Sequence, residues 1–246
     1  MISLQFYTIR DAFSADPLGT LERVAQIGYP GIEIGGYGNK NRDALVAKIN
    51  DLGLTVTGAH AGVEPLQSDF AGVVAENRAL ANKNIIVPYL GEQYRGSLET
   101  LRQTGELLES LAKKAADEGF TLSYHNHDFE LSEQHDGKTA LEIIFEAAPQ
   151  YLQSELDVYW VKKGGKDPVE FINKFADKLS LLHVKDVMPD GSFGEVGEGI
   201  LDWPAIFAAA AKTDVIHYVV EQDQCPGDPF DSIATSFNNL KKMGVA

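Results

Sequence analysis

The sequence predicts an α/β protein folded as a single (β/α)8 TIM barrel spanning residues 1–246. Three observations carry this. The length of 246 residues suits one barrel of about 250 residues without a second domain. The apolar period switches eight times between 2 and 3.6 across short connections. No Gly-x-Gly-x-x-Gly opens the first strand–helix turn, as a dinucleotide-binding open sheet would require, and Gly35-Gly36-Tyr37-Gly38 is too loose a match to count.

Strands are predicted at Ile2–Ile9, Gly31–Gly35, Thr55–His60, Asn84–Leu90, Thr121–His127, Gln153–Tyr159, Ser180–Asp186 and Val215–Glu221. The first of them alternates Ile2, Leu4 and Phe6 with Ser3 and Gln5. Helices are predicted at Pro17–Ile27, Arg42–Leu52, Asp69–Ala81, Ser97–Glu118, Thr139–Ala147, Pro168–Ala176, Trp203–Ala211 and Phe230–Met243. Asp16-Pro17, Asp167-Pro168 and Asp202-Trp203-Pro204 place a capping acid ahead of a proline in the first turn. Gly28, Gly53 and Gly119 fall just past helical runs, where a left-handed residue ends a helix. In the fourth helix Leu107, Leu108, Leu111, Ala112 and Ala115 form one apolar stripe, with Glu106, Glu109, Lys113 and Lys114 outside it.

Composition removes several function classes. A hydrophobic share of 44% and a charged share of 23% are those of a soluble globular chain, and no apolar run approaches the ~20 residues that span a bilayer. No membrane partner is expected. Met1–Arg10 reads as a strand, without the basic start and apolar core of a signal peptide, so cytoplasmic residence is the expectation. Cys225 is the single cysteine, which rules out an internal disulfide and a thiolate cluster and leaves a loop thiol without a role. A net charge of −15 repels a phosphate backbone, so no nucleic-acid partner is expected either.

Ligands of a parallel barrel bind at the carboxyl ends of its strands, and there this chain is polar. The third strand ends in His60, the fifth in His125 and His127, the sixth in Glu155 and Asp157, the seventh in His183 and Lys185, and the eighth in Glu221 and Asp223. Each pair is spaced i, i+2, on one side of its strand. Singly, such residues are often hydrogen-bonded structural groups or turn caps. Together they close otherwise apolar runs, and buried charges need partners or a cation. A metal answers that need.

Over nearly its whole length the chain resembles the xylose-isomerase-like TIM barrels of the sugar phosphate isomerase/epimerase family. The residues that carry the likeness are Tyr124-His125-Asn126-His127-Asp128-Phe129-Glu130, Leu156-Asp157-Val158-Tyr159-Trp160, Leu182-His183-Val184-Lys185-Asp186, Gly194-Glu195-Val196-Gly197-Glu198-Gly199 with Asp202-Trp203, and Val220-Glu221-Gln222-Asp223. Ketose epimerases of this superfamily hold one divalent metal with Glu, Asp, His and Glu from consecutive strands. The resemblance therefore implies Asp157, His183 and Glu221 as ligands and puts His125 where those enzymes have the first glutamate. Histidine still ligates a metal but is a different proton carrier. His127 as the ligand, with His125 supporting it, stays open.

Such a site would act as a Lewis acid on a ketose or keto-sugar, stabilising the enediolate left when a base removes the α-proton. Return of the proton gives isomerisation or epimerisation, and loss of a β-substituent gives elimination by a lyase or hydratase. The expected base is Glu221 or His127, with Lys185 stabilising developing negative charge. Glu198 is expected to contact hydroxyls, Glu33 and His60 to line the opposite wall, and Trp160 and Phe129 to stack on a sugar. Nitrogen and oxygen donors suit manganese, first by resemblance, or zinc, cobalt, iron or magnesium. The expected partner is a small sugar. A phosphate on it would fit Gly164-Gly165 beside Lys162, Lys163 and Lys166, but an unphosphorylated sugar is the expectation. Barrels of this kind often form homo-oligomers, and no apolar stripe here marks an interface. An apurinic endonuclease would want more than 6 histidines and less negative charge, and a non-catalytic sugar binder would not need the metal constellation.

Overall fold

The computed structural model describes residues 1–35 and 41–245, so Gly36-Tyr37-Gly38 of the loose glycine run lies outside the described residues. Eight parallel strands close into a barrel: β1 (Ile2–Gln5), β2 (Gly31–Ile34), β3 (Thr55–His60), β4 (Asn84–Val87), β5 (Thr121–His125), β6 (Gln153–Asp157), β7 (Leu179–Val184) and β8 (His217–Val220). Each strand pairs with its neighbours in sequence, and β1 closes on β8 through Ile2↔Tyr218 and Leu4↔Val220. At the mouth the register sets His125 beside Glu155 and Asp157 beside His183. That pairing brings polar residues far apart in sequence onto adjacent strand ends.

The helices follow the capping chemistry. Asp16 accepts from Gly19 N–H, Asp167 from Val169 and Glu170 N–H, and Asp202 from Ala205 N–H. Helix Leu98–Asp117 buries Leu101, Leu108, Leu111 and Ala115, and burial of each leucine stabilises the fold by about 1.5–3 kcal/mol. Thr139 and Glu142 form a capping box ahead of helix Ala140–Ala147.

Apart from β3, which keeps its expected bounds, the strands are shorter than the sequence pattern suggests, because the chain leaves the sheet at the mouth. Residues after Gln5 turn into a short helix at Arg10–Ala15, and Asp157 ends β6 by capping helix Val158–Lys163 through Trp160 N–H. The expected strand to Tyr159 is therefore helical from Val158. Short helices Val63–Ser68 and Phe129–Ser132 and two small hairpins, Gln134–His135 with Lys138–Thr139 and Asp186–Val187 with Phe193–Gly194, also interrupt the simple alternation. The Gly164-Gly165 pair closes helix Val158–Lys163, with Lys166 N–H returning to Val161 O. Among the described residues no helix is long and apolar enough to cross a membrane.

Candidate active site

The strand-end residues converge. His125, Asp157, His183 and Glu221 are all buried and each offers a donor atom, these atoms lying within 4.8 Å of one another. His125 Nε2 is 3.3 Å from Asp157 Oδ2, and His183 Nδ1 is 3.2 Å from Glu221 Oε2 and 3.7 Å from Asp157 Oδ2. Two donors bound to one ion at about 2.1 Å stand up to about 4.2 Å apart. The pairs at 3.2, 3.3 and 3.7 Å suit adjacent positions on one ion, while a pair at the 4.8 Å limit would have to close by about 0.6 Å even on opposite sides of it. His125 Nδ1 is buried without a partner, so its ring is not committed elsewhere on that side. Two imidazoles and two carboxylates fit a borderline divalent ion.

Asp157 has two jobs set by its position: one oxygen caps the next helix and the other faces the cluster. Lys185, just past β7, is buried with its ammonium 2.5 Å from Glu221 Oε2, 2.8 Å from Asp223 Oδ2 and 3.1 Å from Asp157 Oδ2. Burial would lower its pKa, but those three carboxylates hold it well above the usual lysine value. Burial likewise works against ionised Asp157 and Glu221, yet the Lys185 charge prevails; the Asp157 carboxyl is held at about 2 and Glu221 falls well below its ordinary value. His183 shows the same contest, burial against the carboxylates of Glu155 and Glu33, and ends well above an ordinary histidine. His127 goes the other way, pushed down to about 3 by burial and by His125.

A cavity of about 420 Å³ opens onto this cluster, lined among others by Tyr7, His60, Tyr89, His125, His127 and Glu221. A slightly larger one, about 470 Å³, lies beside helix Leu98–Asp117 and contains none of the strand-end residues. His127 follows β5 and stacks with Phe129 at 6.0 Å between ring centroids, with Trp160 at 5.3 Å and Tyr89 edge-on at 5.4 Å. The Trp160 ring is 5.3 Å from Lys185 Nζ, and its indole N–H is buried without a partner.

Two expected substrate-contacting residues sit elsewhere. Glu33 has no exposed surface and lies behind His183, its Oε1 3.1 Å from His183 Nε2. Glu198 projects exposed from the loop after β7, and its side chain is not part of the cavity lining. His60 does line the cavity, with its Nε2 3.0 Å from Glu33 Oε1.

Other residues take part without standing out in sequence. Glu130 is buried, accepts from Tyr124 hydroxyl and from His127 N–H at 2.8 Å, and so fixes the backbone that carries His127. Gln5 donates to Glu33 at 2.6 Å, although it reads as an alternating polar residue of the first strand. Asp186 accepts from Gly197, Gly199 and Leu201 N–H and from Trp203 Nε1, tying the Gly194–Trp203 loop to the end of β7.

The family described as xylose isomerase-like TIM barrel matches residues 21–243. This chain belongs to that family. An inosose dehydratase of Geobacillus kaustophilus (strain HTA426) is 25% identical, the match covering 85% of this chain and 82% of the relative. A sugar phosphate isomerase/epimerase of Parabacteroides distasonis ATCC 8503 superposes with a TM-score of 0.86 at 21% identity, covering 98% of this chain and 97% of the other. The apo form of a 3-keto-D-glucoside 4-epimerase from E. coli does so with a TM-score of 0.73 at 21% identity, over 98% of both chains.

Proposed function

We propose that this protein is a divalent-metal-dependent sugar isomerase or epimerase that removes the α-proton of a ketose or keto-sugar and passes through an enediolate. The reading is carried by one observation, the four convergent donor atoms of His125, Asp157, His183 and Glu221. A divalent ion held by them supplies Lewis-acid polarisation of the substrate carbonyl and its neighbouring hydroxyl. Manganese is the first candidate among ions with this donor preference.

Glu221, kept ionised beside Lys185, is the base that takes the α-proton. Lys185 faces the charge that then develops on the substrate oxygen. For isomerisation Glu221 returns the proton to the neighbouring carbon. For epimerisation a protonated His127 would give its proton to the opposite face, a charge state that burial and His125 work against. His60 and Tyr89 line the cavity and bind the sugar, and Trp160, whose ring packs against the cavity-lining His127, stacks on it, with Phe129 and His127 excluding water from one side. Glu198 takes part in this reading as a loop residue that reaches hydroxyls beyond the cavity rim.

A second reading, elimination of water from a keto-sugar, has its own support. The base and an acid touch: Glu221 Oε2 is 2.5 Å from Lys185 Nζ. Glu221 would take the α-proton, the β-hydroxyl would leave as water with a proton from Lys185, and the proton on Glu221 would pass back to Lys185. The similarity to an inosose dehydratase and the histidine at position 125 favour the same outcome.

The test is incubation of the Mn²⁺-loaded protein with ketoses, inososes and 3-keto-glucosides in deuterated water, followed by NMR. Deuterium beside the carbonyl without loss of water supports the first reading, and an unsaturated ketone the second. Neither deuterium uptake nor an unsaturated ketone from any of these substrates would sink both.

A further inference from the structure

A carboxylate without solvent access beneath a candidate metal ligand needs an explanation, and Glu33 is such a group. We propose that Glu33 is a positioning residue for His183: it accepts the proton on Nε2 and so directs the Nδ1 lone pair at the metal cluster, a role that rests on the metal reading above. Glu33 is thereby moved from the substrate wall to the support of a ligand.

The proton assignment follows from the contacts. Tyr7 N–H donates to Gln5 Oε1 at 3.0 Å, which fixes the amide so that its amino group points inward. That amino group has two protons, and two partners lie near it, Glu33 Oε1 at 2.6 Å and His60 Nε2 at 2.9 Å. His60 Nε2 also stands 3.0 Å from Glu33 Oε1, and its tautomer decides whether it accepts from Gln5 or donates to Glu33. In either case Glu33 Oε1 accepts from Gln5 and faces the Nε2–H of His183 at 3.1 Å. Glu155 Oε2 is also 3.2 Å from Nε2 but lies outside hydrogen-bonding geometry, so the ring N–H is aimed at Glu33. Both ring nitrogens face carboxylates here; a cation held with Glu221 and Asp157 would displace the proton on Nδ1 and leave the one on Nε2 to Glu33.

The place for Glu33 is built into the barrel. A Cβ at position 58 on the next strand would stand 2.4 Å from Glu33 Oε2, so Gly58 clears the wall that holds the carboxylate. Carboxylates behind metal-bound histidines set the tautomer and ring orientation, and their loss costs about 10–100-fold in metal affinity.

Calorimetric titration of Mn²⁺ into metal-stripped wild type, Glu33→Gln and Glu33→Ala tests this, alongside thermal unfolding of the same metal-free proteins. Binding of one ion per wild-type chain is expected, weakened about 10–100-fold in the variants while their metal-free fold persists. Equal affinity in wild type and variants would overturn the positioning role and leave the metal reading intact. No binding to wild type would remove that reading and this role with it. Two ions per chain, one lost in Glu155→Gln, would make Nε2 a ligand within Glu33, Glu155 and His183 and would also overturn it. Should the variants fail to fold, ¹⁵N NMR of the Zn²⁺-loaded wild type decides: a proton on His183 Nε2 is expected, and one on Nδ1 contradicts the proposal.

Discussion

Glu130 shows how a residue outside the reacting cluster governs it. Burial raises its carboxyl to about 7, against the hydrogen bonds from Tyr124 and His127 N–H that favour ionisation. Its folded pKa thus lies above the ordinary value of about 4.3, and the folded protein binds more protons between those two values. Stability from this group is present below about pH 4 and is lost as pH rises towards 7, by about 4 kcal/mol in all. Glu130→Gln should flatten that part of the profile, read as urea midpoints of both proteins at pH 5 and pH 8. A wild type that gains stability relative to the variant over that range would contradict it. At this scale the sequence is informative where chemistry and strand ends coincide: His125, Asp157, His183 and Glu221 stand out because each interrupts an apolar run at the mouth. Gln5 and Glu130 do not, since a polar residue on an alternating strand and a glutamate in a helical turn look ordinary until their buried partners are seen.

Among the elements, the loop from Gly194 to Trp203 depends on Asp186. Its carboxylate takes four donors from that loop, including Trp203 Nε1 at 2.6 Å, and Gly199 approaches so closely that a Cβ there would meet Asp186 Oδ1 at 2.2 Å. Asp186→Ala leaves buried donors unpaired at about 1–3 kcal/mol each, so a loss of about 3 kcal/mol or more in urea unfolding is expected, with new protease cleavage within 194–201. Unchanged stability and cleavage would show that the loop is held otherwise. Helix starts were legible because Asp16, Asp167 and Asp202 cap them in sequence as in space. Strand ends were not. Val158-Tyr159-Trp160 has β-forming side chains, and the cap from Asp157 overrides that preference. The short helices at the mouth follow from such tertiary contacts, which periodicity does not register.

At the scale of the whole molecule, eight alternating periods were enough to specify the closed barrel, and the barrel is what assembles the cluster. The charge of −15 adds an exclusion: no incision of duplex DNA at an abasic site is expected with Mg²⁺, Mn²⁺ or Zn²⁺, and nicking in a gel assay would contradict it. The account turns most directly on metal content. Elemental analysis of the purified protein, paired with Asp157→Asn and His183→Ala, should find one divalent ion per wild-type chain and almost none in either variant, with chelation abolishing turnover. Wild type that is metal-free and fully active, or variants that keep the ion, would contradict the central claim.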